Sequence, residues 1–473
     1  MFSRNSETLL GLIRDGQALT RGDKLNLIVQ LSIPSILAQV TSVVMFFIDQ
    51  AMVGSLGTNA SAAIGIIETA TWLLGGFTSA ASMGFSVQIA HFIGANDFVK
   101  ARQVLRTGLT ATTIFSTVIA CIGCAVAFPL PFWLGGGEEI ARGASMYFLI
   151  FSLALPFFQL YSLSAAVLKC SGDMRIPSAM SILMCILDVV FNFFFIFPSR
   201  TVEVLGVNVS IPGMGLGVEG AAIGTALSIV LVGLLIAWFA MGRSKILALR
   251  LDNERFRVVW DYLRNAVKIG APMALQAFLM SSAQIVSTMI VAPLGNVAIA
   301  ANTLAITAES LCYMPGYGIG EAATTLVGQS MGAGRMDLCR SFARMTVFTG
   351  MIVMAFMGLV MFVLAPEMMG LMTPVEEIRT LGAQCLRIEA FAEPGFAAAI
   401  VTYCVCVGAG DTIKPAIINL ASMWLVRLTL AYALAPHYGL RGVWIAMAVE
   451  LLLRGILFLV RLFRGKWMKA SFS

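Results

Sequence analysis

Charge is scarce in this chain. Only 12% of its 473 residues are Asp, Glu, Lys or Arg, against about 25% in an ordinary soluble domain. Histidine is scarcer still, with two in all, His91 and His437. So little charge excludes a soluble globular protein of this length. So little histidine, with no paired-carboxylate motif, leaves no donor set for a hydrolytic metal centre. No Gly-x-x-x-x-Gly-Lys-Ser/Thr run occurs, so no phosphate cradle for ATP is expected and energy should come from an ion gradient. Residues 1–24 carry Arg4, Arg14, Arg21 and Lys24 without a short apolar core ending in small residues. No cleavable signal peptide is expected there. Nine cysteines are present, and Cys121, Cys124, Cys185, Cys312, Cys404 and Cys406 fall inside apolar runs. They read as packing residues, so neither disulfides nor zinc are expected.

What the chain has in abundance is apolar sequence, 59% of it. The first long run, Leu25 to Met52, is broken by one acid, Asp49. About 20 apolar residues cross a bilayer. The pattern predicts an all-α membrane protein of twelve transmembrane helices, at 26–54, 61–93, 103–130, 140–168, 176–197, 217–242, 264–293, 298–330, 340–366, 376–405, 414–436 and 440–463. Several spans are longer than a bilayer needs, so tilt and kinks are expected, with Pro34, Pro156, Pro272 and Pro394 as candidate kinks.

Basic residues orient the chain. The N-terminal tail, the even-to-odd loops and the C-terminal tail together hold 24 Lys and Arg. The opposite side holds four, Arg142, Arg200, Arg379 and Arg441, and Arg387, Arg427 and Arg454 lie within spans. This asymmetry places both termini in the cytoplasm of an inner (plasma) membrane protein. The net charge of +6 therefore reflects topology. Because the cations are dispersed at helix ends rather than gathered in one patch, nucleic acid is excluded as a partner.

The chain also resembles itself. Pro34 and Pro272, Leu56-Gly57 and Leu294-Gly295, Gly94-Ala95 and Gly332-Ala333, Arg102 and Arg340, Arg106 and Arg344, Pro156 and Pro394, and Gly172-Asp173 and Gly410-Asp411 recur at one offset (272 − 34 = 238). The offset falls to 222 at Gly217 and Gly439, so sixteen residues near Arg200 to Gly215 have no counterpart. Six spans per half put both halves in the same orientation, related by a pseudo-twofold axis along the membrane normal. Transporters built this way hold substrate between the halves and alternate access by rocking them. The expected division is a tail at 1–24, a six-helix bundle at 25–242, a linker at 243–262, a second bundle at 263–463 and a tail at 464–473.

With these segments in order, the chain resembles the multidrug and toxic compound extrusion (MATE) family over nearly its whole length. The resemblance is carried by Pro34 with Asp49-Gln-Ala-Met-Val-Gly54, by Gln88-Ile-Ala-His-Phe-Ile-Gly-Ala95 and Leu326-Val-Gly-Gln-Ser-Met-Gly-Ala-Gly334, by Leu168-Lys-Cys-Ser-Gly-Asp173 and Val407-Gly-Ala-Gly-Asp411, and by Gly220-Ala-Ala-Ile-Gly-Thr225. It implies two six-helix bundles and the export of lipophilic, often cationic compounds in exchange for H⁺ or Na⁺.

An acid inside the bilayer costs about 2.5–3.5 kcal/mol on insertion scales, which makes each one a functional candidate. Asp49 ends an apolar stretch of span 1 and can take a proton or ligate a cation. Its bland alternative is a helix-end aspartate in headgroup water. Asp188 and Asn192 in span 5 lie four residues apart and share a face. Carboxylate and amide oxygens suit a hard cation such as Na⁺, whereas an interhelical hydrogen-bonded pair is the structural alternative. The resemblance implies an N-half coupling site at Asp49, Asp188, Asn192 and Thr225, although the family commonly has Asn first and Asp four residues later. One branch, NorM-like, carries acids in the second half at positions that are Met280 and Phe396 here. Their absence places the chain nearer the DinF-like arrangement.

Second-half acids remain. Glu309, Glu321 and Glu393 are candidate substrate or proton sites, or else ion-pair members, with Glu389 near them and Arg387 and Arg427 as possible partners. Glu450 and Arg454 should pair on one helix face. Glu68 is a further candidate, and His91 reads as an interface residue. Among the 27 methionines and 31 phenylalanines some can line an adaptable cavity. The expected function is a secondary antiporter of small organic molecules, monomeric and independent of cofactor and ATP. A flippase of the same superfamily would show more cavity cations. A membrane transferase would need a large loop or a metal-binding acid motif, and the longest loops are about twenty residues.

Overall fold

A computed structural model describes residues 5–204 and 207–469. The first four residues of the expected N-terminal tail, Arg4 among them, and the last four of the C-terminal tail lie outside the described residues.

The spans start where local chemistry sets them. A short helix, α1 (Ser6–Arg14), precedes α2 (Arg21–Gly54). Thr20 begins α2 with a reciprocal cap. The Asp23 N–H donates to Thr20 Oγ1 at 3.1 Å, and the Thr20 N–H donates to Asp23 Oδ2 at 3.2 Å. Then follow α3 (Thr58–Gly94), α4 (Phe98–Val126), a one-turn α5 (Leu130–Trp133), α6 (Glu138–Ser171) and α7 (Arg175–Ile196). A hairpin of β1 (Pro198–Val204) and antiparallel β2 (Val207–Met214) leads to α8 (Gly217–Trp238), which continues as a π-helical turn to Arg243. The second half comprises α9 (Trp260–Val291), α10 (Asn296–Gly332), α11 (Met336–Met372), α12 (Glu376–Ala390), α13 (Glu393–Gly408), α14 (Ile413–Ala421), α15 (Leu428–Tyr438) and α16 (Leu440–Arg464). A π-helical segment, Ser422–Arg427, joins α14 to α15 in one span.

Eleven helices among the described residues are long and apolar enough to cross a membrane, and α12 with α13 forms a twelfth span bent by 60°. The bend was expected at Pro394, which stands at the second position of α13. Pro34, Pro156 and Pro272 stay inside continuous helices. With 37 residues, α3 and α10 are each about 55 Å long at 1.5 Å per residue, well beyond a hydrocarbon core of about 30 Å. Outward faces stay apolar. Ile352, Phe356, Leu359 and Val363 form a stripe of exposed side chains on α11, as lipid contact requires.

The duplication holds in the backbone. The starts of α3 and α10 are Thr58 and Asn296, again at 238 (296 − 58), as are Phe98 and Met336, Glu138 and Glu376, and Arg175 and Ile413. The turns match as well. Gly57 (φ 115) pairs with Gly295 (φ 103), and Gly172 (φ 96) pairs with Gly410 (φ 84). Positive φ at both turns explains why glycine stands at both.

The all-helical expectation holds for the spans, and a short hairpin of β1 and β2 stands in the stretch that has no counterpart in the second half. Within the expected N-terminal tail, α1 packs against both halves. Leu9, Leu10 and Ile13 of α1 are buried against Leu27, Ile28 and Leu31 of α2 and against Leu326, Leu338 and Phe342 of the second half. Arg335 Nη1 donates to the carbonyls of Leu12 and Ile13 at 3.1 and 3.3 Å, and Lys245 Nζ of the linker lies 2.9 Å from Glu7 Oε1. The linker itself is fixed by Asp252, which accepts from Arg102 and Arg106 of α4. The side bearing this linker and both described chain ends is called the linker side below.

Candidate functional site

Helix geometry brings the first-half candidates together. Asp188 and Asn192, one turn apart on α7, are both buried, at 0% and 1% exposure. Asp49 reaches them from α2. Asn192 Nδ2 donates to Asp49 Oδ1 at 3.1 Å and to Asp188 Oδ2 at 3.3 Å. Thr225 enters from α8 next to Asp188, and Tyr147 of α6 lies among Asp49, Asp188, Glu68 and Thr225. Gly224 makes room for this packing, since a Cβ there would sit 2.2 Å from Asn192 Oδ1. Asp188 Oδ1 and Asn192 Oδ1 have no hydrogen-bond partner. Two carboxylates, an amide oxygen and a hydroxyl thus converge with two buried oxygens left unsatisfied. Such a set accepts a proton or a small hard cation. Glu68, which accepts from Trp72 Nε1 at 3.3 Å, stands at its edge.

In the second half, Glu389 ends α12 and Glu393 begins α13, flanking the helix break. Both are fully buried, and all four of their carboxylate oxygens lack hydrogen-bond partners. Glu309 of α10 and Arg427 of the π-helical segment are their charged neighbours, with Glu450 beyond. Glu450 and Arg454 pair across one turn of α16, with Arg454 Nε 2.7 Å from Glu450 Oε1, as their spacing predicts. Of the two cations proposed as partners for these acids, Arg387 is a correction. It is exposed, donates to the Phe362 carbonyl at 3.2 Å and stacks over the Phe362 ring. Its exposure, with no ion pair formed among the described residues, sets it apart from the buried acids of the cluster. Among the described residues no group of three or more His, Cys, Asp and Glu has metal-holding geometry.

Glu321 does not join Glu309 and Glu393. Twelve residues along α10 from Glu309, about 18 Å, it meets the other half. Lys169 Nζ lies 2.6 Å from Glu321 Oε1, Ser35 Oγ donates to Oε2 at 2.6 Å, and Gln39 Nε2 donates to Oε1 at 3.2 Å. His91 Nε2 lies 2.8 Å from the Gly408 carbonyl oxygen across the same divide, in accord with its reading as an interface residue. Gln329, its counterpart, donates to the Cys170 carbonyl at 2.9 Å. The helices touch here backbone to backbone. A Cβ on Gly94 would lie 2.0 Å from Gln329 O, and one on Gly332 would lie 1.9 Å from His91 O. All these cross-half contacts lie on the linker side, and among the described residues no cross-half hydrogen bond lies nearer the other side. The hydrogen-bonded contacts between the halves are thus gathered toward the linker side.

Spanning helices in two duplicated bundles, halves joined at the linker side and buried carboxylates in both halves define a multi-pass membrane transporter. More narrowly, the chain belongs to the MatE family, whose profile matches residues 34–194 and 272–433, one block in each half. A probable multidrug resistance protein NorM of Thermotoga maritima is 26% identical over 456 residues, covering 94% of this chain and 93% of that protein. A protein of the same name from Idiomarina loihiensis is also 26% identical, over 93% of this chain and 94% of its own. The fold matches a structure described as the outward-facing conformation of a multidrug resistance MATE family transporter, with a TM-score of 0.88 and 22% identity over 99% of both chains. A MOP superfamily transporter from Pyrococcus furiosus aligns over 100% of both chains with a TM-score of 0.86 and 20% identity.

Proposed function

We propose that this protein exports small lipophilic organic cations from the cytoplasm by antiport against H⁺ or Na⁺. It alternates access about the pseudo-twofold axis, with the linker side cytoplasmic. The observation that carries the reading is the pair of unsatisfied buried oxygens, Asp188 Oδ1 and Asn192 Oδ1, held against Asp49 and Thr225. A proton or cation arriving there satisfies them and joins α2 to α7 and α8. An ion shifts the equilibrium between two cleft states only by its differential affinity for them, and a site formed by three helices changes shape when those helices move. The names of relatives support multidrug export. The N-half placement of coupling is the DinF-like arrangement, although those relatives are called NorM. Glu309, Glu389 and Glu393 form a second proton-accepting group, and one chain suffices for transport.

The test is ethidium uptake into everted membrane vesicles with imposed pH and Na⁺ gradients applied separately, for wild type, Asp49→Asn and Glu393→Gln. Wild-type uptake should follow one gradient. Asp49→Asn keeps the hydrogen bond to Asn192 but neither charge nor proton exchange, so it should remain folded and lose gradient-driven uptake. Wild-type rates in Asp49→Asn under the same gradient would end the coupling assignment. Absence of uptake under any gradient, with folded protein present, would turn the reading toward a lipid-precursor flippase.

A further inference from the structure

Among the described residues one ion pair joins the two halves, Lys169 to Glu321. Its setting is polarised. Glu321 comes from the second half, and its three side-chain donors, Lys169, Ser35 and Gln39, all come from the first. Lys169 and Glu321 keep 23% and 26% side-chain exposure, so the pair is only partly buried. Eleven residues separate Glu321 from the end of α10 at Gly332, which sets it about 16 Å inside the linker-side mouth. Separation of the halves at that mouth therefore strips the carboxylate of every side-chain donor at once. It is left within a narrow cleft of low dielectric, where an unpaired charge is strongly disfavoured. The group that restores the balance is another cation small enough to enter.

We propose that Glu321 is the carboxylate that receives the positive charge of an organic cation when the linker side is open, and that Lys169 is the tethered cation that replaces it when that side closes. This rests on reading the protein as an exporter of organic cations and names the residue that selects them. Closure and release are then one event. As the halves meet, the Lys169 ammonium, with Ser35 and Gln39 beside it, competes the cargo off Glu321 and leaves it free in a cleft that opens opposite. A neutral compound gains nothing from Glu321, so the device discriminates by charge. It also reaches the ion site mechanically, because Ser35, Gln39 and Asp49 share α2.

Wild type, Lys169→Met and Glu321→Gln, purified in lipid nanodiscs, test this with two readouts. Opening of the linker side is read as maleimide labelling of Cys170, which is 3% exposed in the closed state. Cargo binding is read as ethidium fluorescence, with Nile red as a neutral control. Both variants should label faster at Cys170. Lys169→Met should bind ethidium ~10-fold more tightly than wild type and Glu321→Gln ~10-fold more weakly than Lys169→Met, while Nile red affinity stays level. Equal ethidium affinity in the two variants, or equal gains for ethidium and Nile red, overturns the assignment of Glu321. Unchanged Cys170 labelling in both overturns the closing role of Lys169. Binding that follows these expectations while no gradient drives ethidium across vesicles would end the antiport reading and leave this one standing.

Discussion

Replacing Gly94 by alanine should hold the linker side open. Its Cβ would lie 2.0 Å from the Gln329 carbonyl oxygen and 2.8 and 2.9 Å from the carbon atoms behind it. Non-bonded carbon and oxygen need about 3.5 Å, so α3 and α10 must part by about 1.5 Å at the crossing. No rotamer change helps, because the obstructing atoms are backbone in a continuous helix. Overpacking of this kind costs about 1–3 kcal/mol, which as a bias on two states is about 5–150-fold. The separation also stretches His91 Nε2 away from Gly408 O, now 2.8 Å, and Gln329 from Cys170 O, now 2.9 Å. Maleimide labelling of Cys170, at 3% exposure, followed by peptide mass spectrometry, measures the shift. Gly332→Ala should do the same from the symmetric contact, and the double variant should add less than the sum, since both act on one crossing. Gly65→Ala is the control, on the same helix with nothing within 4 Å of the new methyl. If Gly94→Ala labels and transports like wild type, the closed crossing is not a state the transporter must reach.

Two further outcomes follow from the geometry. Gly224→Ala places a methyl 2.2 Å from Asn192 Oδ1 and should abolish ion-coupled uptake in vesicles while expression is retained; normal coupling would show that Asn192 has no part in the ion site. At the linker, burial alone would raise the Asp252 carboxyl, but the Arg106 and Arg102 hydrogen bonds and charges outweigh it and hold it below the usual carboxylate range. A depressed carboxyl stabilises above its unfolded value of about 3.9 and loses that contribution as pH falls through the folded value. Proteolysis of the 244–259 segment should therefore be slow at neutral pH and rise in acid. Asp252→Asn should show rapid cleavage at every pH, with a loss of about 1.5–3 kcal/mol for charge-assisted hydrogen bonds, and a pH-independent wild type would refute the role.

The spans and their duplication were legible because both are written as long-period patterns. Apolar runs set the helices, and one offset, unbroken from Pro34 to Pro415, set the halves. Helix starts then fell at that offset, with the same glycine turns recurring at Gly57 and Gly295 and at Gly172 and Gly410. Asp188 and Asn192 were legible from their one-turn spacing, and Glu450 with Arg454 likewise. The hairpin was missed although a signal existed, since Thr201 to Val204 and Val207 to Ile211 alternate polar and β-branched residues on either side of a Leu-Gly pair in the sequence. The burial of α1 had no such signal. Its apolar face is plain in Leu9, Leu10 and Ile13, but periodicity says that a face is covered, not by what. The same limit hid the partner of Glu321. Lys169 counted only as one more cation at a span end, and nothing in spacing relates residues 152 positions apart in different halves.

The backbone is duplicated, but the chemistry is not. At the same offset the counterparts of Asp49, Asp188 and Asn192 are Ser287, Val426 and Leu430, and the counterparts of Glu309, Glu389 and Glu393 are Thr71, Phe151 and Leu155. Lys169 and Glu321 answer to Val407 and Met83. Among these groups no acid stands opposite an acid. A twofold axis along the membrane normal maps the linker side onto itself, so the two cleft states are not images of one another and their energies are set by the groups at each side. Asymmetric charges make those states differ. Closing the linker side joins Lys169 to Glu321, and among the described residues no other ion pair joins the two halves. The empty transporter is therefore biased toward the state seen here, and what must be supplied from outside is the free energy to reopen the linker side. An ion acting on α2 through Asp49 is placed to supply it, because α2 is also the helix whose Ser35 and Gln39 hold Glu321.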